Sequence, residues 1–503
     1  MRQIAITLLF MVLLGAAAQA QTRISFPDLE PDSRAEAYAR RGTGGYSWED
    51  LAGISLWASV SPAETAGPDR GPSFLEQIRA AAEELKNSPD LPGDLRDRGA
   101  YILTFIHKKF LTAYSLPQTR LDTLLTTGRY NCVSSAVLYL ILGTAAGLDI
   151  RGVMTKDHAF AAVRVNGEWI DVETTNPYGF DPGNRKEFHD QFGKVTGFAY
   201  VPARNYRDRV SISPIELVSL IFSNRISGLE RQNRFAEAVP LAVSRAGLLM
   251  GEHPAGAPED GGEPAPFFED PRQDLLNRLL NFGAFLLKSG REEDALRWAA
   301  LAQAKYPDEE RWQEFTFAAA NNLMIRQIKA GRLAEARDSL NLHVSMLSAA
   351  NFDRLDMALT DAELLDSASK MKNAGEAAGI LFAINQAAGR VILPPGRAEE
   401  LRTFVIEKAA ALLSAEPARN WAGAIAWLEE ALKQYGPNPR LEQSLRGYRS
   451  NLAADYHNRF AAAWNRQNHE EAIRILEEGL ALFPDNRQLL ADRAAAEKAG
   501  QNR

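Results

Sequence analysis

The sequence predicts an α+β domain followed by an all-α solenoid of helical repeats. Three observations predict it. An apolar helix pattern starting at Cys132 runs into strand-like segments joined by an Asn-Gly dipeptide. Strand signals then stop near residue 212, and from there to residue 503 short helical segments recur around a shared alanine. The 503 residues are 46% hydrophobic with a net charge of -7, an ordinary globular composition with room for more than one domain. Nothing in it is basic enough for nucleic acid, so no nucleic-acid partner is expected.

Residues 1–20, MRQIAITLLFMVLLGAAAQA, place a basic Arg2 before an apolar run and end on Ala18-Gln19-Ala20. This reads as a signal peptide cleaved before Gln21, and hence as export, most simply to a bacterial periplasm. No cysteine follows for lipid attachment, and no later stretch approaches the roughly 20 apolar residues of a span, so the mature chain is expected to have no transmembrane span. The chain has one cysteine, Cys132. In an oxidising compartment a lone cysteine cannot form an internal disulfide; it is either a small buried hydrophobe or a reactive thiol. Residues 21–95 mix turn-rich segments (ETAGPDRGPS) with helical ones (SWEDLAGISLW, SFLEQIRAAAEELKN) and read as a helical prelude to the next domain.

Residues 96–211 hold the candidate chemistry. In TTGRYNCVSSAVLYLILGTAAGL, the residues Val133, Ala136, Val137, Leu140 and Ile141 form a helical stripe that places Cys132 in the first turn. The unsatisfied N–H groups and positive dipole end there favour a thiolate. Downstream, strands are expected over 150–155, 158–165 and 168–174, the last two linked by a type I′ turn at Asn166-Gly167. With Val165 opposite Glu168, Ala162 faces Asp171, Phe160 faces Glu173 and His158 faces Thr175. His158 then shares a face with two acids. Glu173 is its diagonal neighbour and the expected partner, while Asp171, one step further along, is the alternative acid. A thiol at a helix start, a histidine opening a strand and an adjacent acid are the parts of a cysteine nucleophile, its base and an orienting group.

The ordered set GRYNC, HAF and WIDVETT resembles the transglutaminase-like superfamily of papain-type thiol enzymes. The resemblance spans roughly residues 95 to 205. It implies an α+β papain/transglutaminase-like fold with Cys132 as nucleophile, His158 as base, Glu173 at the family's aspartate, and Trp169 and Thr175 as its flanking residues. Two departures stand out: Gly128 lies one residue further from the cysteine than the family pattern has it, and Glu replaces Asp. For the oxyanion, the backbone N–H of Cys132 is one candidate donor and a side chain of Tyr130 or Asn131 the second. His107 reads as a helix-face residue and His189 as a loop residue. With one cysteine and scattered histidines no metal-ligand spacing emerges, so neither metal nor cofactor is expected.

Residues 212–503 carry the repeats. RQNRFAEAVPLA, KSGREEDALRWA, KAGRLAEARDSL, MKNAGEAAGILF, ARNWAGAIAWLE and RQNHEEAIRILE align on Ala238, Ala295, Ala336, Ala377, Ala424 and Ala472. Small residues are expected there because two helices cross. These segments resemble degenerate tetratricopeptide repeats, spaced 57, 41, 41, 47 and 48 residues apart against a usual period of about 34. The stretch 251–270, rich in Gly, Pro and acids, reads as a flexible insertion.

Two functions follow. One is an exported acyl-transfer enzyme that hydrolyses or transfers amide bonds of a protein or peptide substrate through a Cys132 thioester, its repeats docking a protein partner. The other is a catalytically inactive envelope scaffold that binds proteins through the repeats.

Overall fold

The computed structural model describes residues 24–42, 45–60, 71–183, 188, 193–196, 209–250, 270–415 and 419–501. The expected signal peptide, His189 and all but the last residue of the expected insertion lie outside the described residues. The chain divides into two compact units, Met1–Phe315 and Thr316–Arg503.

The first unit opens with helices α1 (Ser33–Gly42), α2 (Trp48–Ser59) and α3 (Gly71–Lys86) where the prelude is expected, followed by α4 (Leu95–Lys109) at the start of the expected next domain. Their starts are chemically marked. Ser47 and Asp50 form a reciprocal capping box at α2, and the Asp94 carboxylate accepts from the N–H groups of Arg96 and Asp97 at α4. A two-residue strand β1 (Ala113–Tyr114) pairs in parallel with β2 (Arg129–Tyr130), which follows α5 (Leu121–Thr127). Gly128 ends α5 in the left-handed region at φ 70°, where a Cβ would lie 2.2 Å from Thr112 Oγ1. The glycine is needed there to close one helix and enter β2.

Helix α6 (Cys132–Ala145) follows. The expected stripe is too narrow a description, because Cys132 to Gly143 are all buried. Helices α2, α3, α4 and α5 and the sheet surround α6, so its serines are buried with its leucines. Each fully buried Leu or Ile contributes about 1.5–3 kcal/mol, and the serines avoid a desolvation cost by hydrogen bonding.

The sheet has the order β5-β4-β3-β6, antiparallel throughout, built from β3 (Ile150–Met154), β4 (Ala159–Val165), β5 (Glu168–Val172) and β6 (Val210–Ile212). Asn166 (φ 52°) and Gly167 (φ 91°) make the primed turn. The ladder keeps the expected register, Ala162 opposite Asp171 and Ala161 opposite Val172, and then stops. Beyond Val172 the Glu173 N–H donates to Gly179 O at 2.8 Å, so Glu173 to Thr175 leave the strand for a turn. The face expected to carry the polar set is itself partly core, since Phe160 and Ala162 are buried with Val153 against Trp169. Strand β6 was not anticipated; three residues are too few to show a period.

From Pro214 the described residues are helical. In the first unit α7 (Pro214–Arg231) and α8 (Phe235–Leu249) form one hairpin, and α9 (Pro271–Lys288) and α10 (Glu292–Lys305) the next. Helix α7 packs on α2, α6 and β3, and α8 on α1. The change from mixed to helical structure near residue 212 is therefore a change of local conformation within one packed body. The division between units falls inside α11 (Arg311–Lys329).

The second unit continues with α12 (Leu333–Leu342), α13 (Ala349–Lys370), α14 (Ala377–Gly389), α15 (Pro395–Ser414), α16 (Trp421–Tyr435), α17 (Pro439–Asn465), α18 (His469–Leu482) and α19 (Arg487–Gln501). Each of α12 to α18 packs on the next, the pattern of stacked helical repeats. All six aligned alanines lie in α8, α10, α12, α14, α16 and α18 and are at most 1% exposed. Tight turns at Asn233, Gly290, Gly331 and Gln467, all with positive φ, precede four of these helices. Uneven helix lengths, from 10 residues in α12 to 27 in α17, account for the irregular spacing. No helix of the described residues is long and apolar enough to cross a membrane.

Candidate functional site

Cys132 is the first residue of α6, and its position is fixed from both sides. Asn131 caps the helix: its Oδ1 accepts from Ser134 N at 3.0 Å, and its own N–H donates to Ser134 Oγ at 3.0 Å. Upstream, the Ser115 N–H donates to Tyr130 O at 2.7 Å, tying β2 to β1. The first turn contains no acidic residue that would oppose an anionic sulfur. Cys132 is 8% exposed.

His158 immediately precedes β4, where its carbonyl accepts from Thr155 N at 2.8 Å. Its Nε2 meets Glu173 Oε2 at 2.6 Å. With Nε2 committed to the acid, the buried Nδ1 is the other ring nitrogen, and the Cys132 thiol beside the ring helps hold the imidazole in its charged form. Burial alone would push the imidazole toward its neutral form. The charge of Glu173 and the hydrogen bonds to Cys132 and Glu173 outweigh it and hold the His158 pKa well above the ordinary histidine range.

Glu173 is fully buried. Its Oε1 accepts from both the N–H and the hydroxyl of Thr175, at 3.1 and 2.7 Å, which orients Oε2 toward the imidazole. The turn that carries it is anchored from three elements. His107 Nε2 of α4 contacts Thr174 O at 3.0 Å, Ser135 Oγ of α6 contacts Thr174 Oγ1 at 2.8 Å, and Tyr130 Oη of β2 donates to Thr175 O at 3.2 Å. Gly179 closes the turn so tightly that a Cβ would sit 2.0 Å from Glu173 O. Because the acid leaves the ladder at this turn, the longer glutamate side chain reaches back to the histidine from beyond the strand end.

Of the residues expected to form the site, the structure brings together Cys132, His158, Glu173 and Thr175. Asp171 is elsewhere: its carboxylate is gripped by Arg209, with Nη1 to Oδ2 at 2.7 Å and Nη2 to Oδ1, and the guanidinium lies 5.3 Å from the Phe160 ring centroid. Trp169, on β5 opposite Arg164 of β4, is stacked 4.1 Å beneath the Arg151 guanidinium. The two side chains expected as oxyanion donors both serve backbone carbonyls. Tyr130 Oη donates to Thr175 O, and one N–H of Asn131 Nδ2 donates to Leu116 O at 3.1 Å. This backbone demand, invisible in a sequence pattern, uses the one proton of Tyr130 and one of the two of the Asn131 amide.

Sequence reasoning missed His107, Ser135, Thr174 and Gly179. His107 lies in the last turn of α4, and burial pushes its pKa down to about 4, opposed by its bond to the Thr174 carbonyl and by the Glu173 charge. The run TTNPYG directly after a strand was the available signal for a structured turn. Among the described residues, no group of three or more His, Cys, Asp or Glu side chains is placed to hold a metal ion.

The chain matches no family model and no curated protein. Among solved structures, a monomeric IFIT1 mutant with Gppp-AAAA is similar at 14% identity over 85% of this chain and 75% of that one, with a TM-score of 0.15. Naa15/Naa10 bound to HypK-THB is similar at 10% identity over 92% of this chain and 57% of that one, with a TM-score of 0.16. At TM-scores this far below 0.5, neither likeness defines the fold of this chain.

Proposed function

We propose that the protein is an exported cysteine-dependent acyl-transfer enzyme with a transglutaminase-like domain, hydrolysing amide bonds of a protein or peptide, and that its helical repeats dock a protein partner. The observation that carries the reading is the hydrogen bond from the His158 ring to the fully buried Glu173 carboxylate, with Cys132 at a helix start as the neighbouring thiol. A basic imidazole held beside a thiol takes its proton and leaves the sulfur as nucleophile. Glu173 fixes the ring so that Nδ1 faces the thiol, as the acid of a triad does.

The Cys132 thiolate attacks the carbonyl carbon, forming the S–C bond while the C=O electron pair moves to oxygen. Collapse reforms the carbonyl and breaks the C–N bond, and the departing amine takes the proton held on His158. Water then attacks the thioester, giving a proton to His158, and the second collapse releases the acid and regenerates the thiolate. An amine in place of water would give transfer instead.

Treatment with p-nitrophenyl acetate followed by mass spectrometry tests this. One acetyl group on Cys132, absent in Cys132→Ser, is expected. A single observation favours the alternative of an inactive scaffold: Cys132 is almost wholly buried, and buried structural cysteines are inert. Absence of acetylation in the native protein would support that alternative.

A further inference from the structure

We infer that Tyr114 is a further catalytic residue whose hydroxyl donates to the tetrahedral oxyanion; this rests on the acyl-transfer reading above. Tyr114 lies on β1 directly opposite Tyr130, two residues before Cys132, with the two rings edge-to-face at 5.9 Å between centroids. Its Oη is buried and has no hydrogen-bond partner among the described residues. A buried hydroxyl left unpaired is uncommon and asks for an explanation. Of the other two polar side chains flanking the thiol, Tyr130 has its hydroxyl proton committed to Thr175 O, and Asn131 gives one amide N–H to Leu116 O while its Oδ1 caps the helix at Ser134 N, which holds the amide in place.

Tyr114 borders the site through Tyr130, whose hydroxyl donates to the Thr175 carbonyl in the turn that carries Glu173. Ionisation of Tyr114 is disfavoured by burial first, and then by the charges of Cys132, Glu173 and Tyr130. A phenol so surrounded keeps its proton across the working pH range and can act as a neutral donor. Its hydrogen bond is unmade in the resting protein and is made when charge develops on the substrate oxygen, which is the condition for speeding the reaction rather than tightening the ground state. In the addition step the sulfur–carbon bond forms, the carbonyl electron pair moves to oxygen, and that oxygen accepts from Tyr114 Oη. Tyr114 keeps its proton throughout. When the carbonyl reforms, the C–N bond breaks and His158 supplies the proton to the amine.

The test is Tyr114→Phe in the full chain with two probes. Iodoacetamide alkylates the thiolate without forming an oxyanion, whereas p-nitrophenyl acetate acylates it through one. Alkylation is expected to stay within about twofold of wild type while acylation falls about 100-fold or more, the usual loss on removing one oxyanion donor. Since the hydroxyl has no partner among the described residues, the substitution removes no described hydrogen bond and an unchanged melting temperature is expected. Unchanged acylation beside an active wild type overturns the role of Tyr114 and leaves the thiol-enzyme reading standing. Equal slowing of both probes also overturns it, since Tyr114 would then support the thiolate or the fold. A wild type that reacts with neither probe removes the thiol-enzyme reading and Tyr114 with it.

Discussion

The turn carrying Glu173 and the hairpins of the second unit are held together in opposite ways. Glu173 to Thr175 are fixed by side chains from residues 107, 130 and 135, which reach them across gaps of 67, 45 and 39 positions. The helices α12 to α19 pack mainly on their sequence neighbours, through apolar clusters such as that of Ala424, Leu428 and Leu441. The first arrangement concentrates its energetics in a few directional bonds around one carboxylate. The second spreads it over many small contacts. Damage to the turn should therefore alter chemistry out of proportion to stability, and damage to the repeats should do the reverse.

The largest expected effect is at the acid. Glu173→Gln keeps the shape but removes the charge that orients His158, and acylation should fall by on the order of 10³- to 10⁴-fold. Asp171→Asn should change acylation by no more than a few-fold. It breaks the pair with Arg209, so its cost should appear instead as about 1–3 kcal/mol of stability in a urea titration. A reversal of the two activity effects would mean that Asp171 is the working acid.

A middle-sized effect is expected from overpacking a repeat. Ala424 is fully buried, and Ala424→Leu should cost about 1–3 kcal/mol while leaving the alkylation rate of Cys132 unchanged. A change in alkylation of more than about twofold would break the contrast between the regions.

The smallest effect is a pH dependence. His107 has a folded pKa of about 4, below the ordinary histidine value, because it is buried. Between about pH 6.5 and 4 the unfolded chain binds the proton and the folded one resists it, so stability falls as pH drops through that window. His158 has the opposite sign. Its folded pKa is raised, so its contribution is full below about 6.5 and fades as pH climbs through the folded value. His107→Gln should flatten the acid limb of a stability–pH curve and leave the alkaline limb alone; an unaltered acid limb would contradict the assignment.

How much of this was legible depended on whether the information is local. The Asn-Gly turn, the hairpin register and the start of α6 at Cys132 depend on residues close in sequence, and each lies where the pattern puts it. That His158 meets Glu173 and not Asp171 was also readable, although the flat register missed the turn that carries Glu173. The aligned alanines marked helix crossings because only a small residue fits there. What stayed hidden was non-local: that α6 is buried on every side, that α7 and α8 pack on the prelude and the α+β core, and that Arg209 claims Asp171. A sequence shows a side chain's chemistry but not which distant group has already taken its hydrogen bond, and Tyr130 and Asn131 are examples.

The central claim is that Cys132, His158 and Glu173 form one activated thiol, and the rate of iodoacetamide alkylation of Cys132 in the native protein against His158→Ala tests it most directly. With the imidazole that takes the thiol's proton removed, alkylation at pH 6 is expected to slow by about tenfold or more. An alkylation rate unmoved by His158→Ala would contradict it.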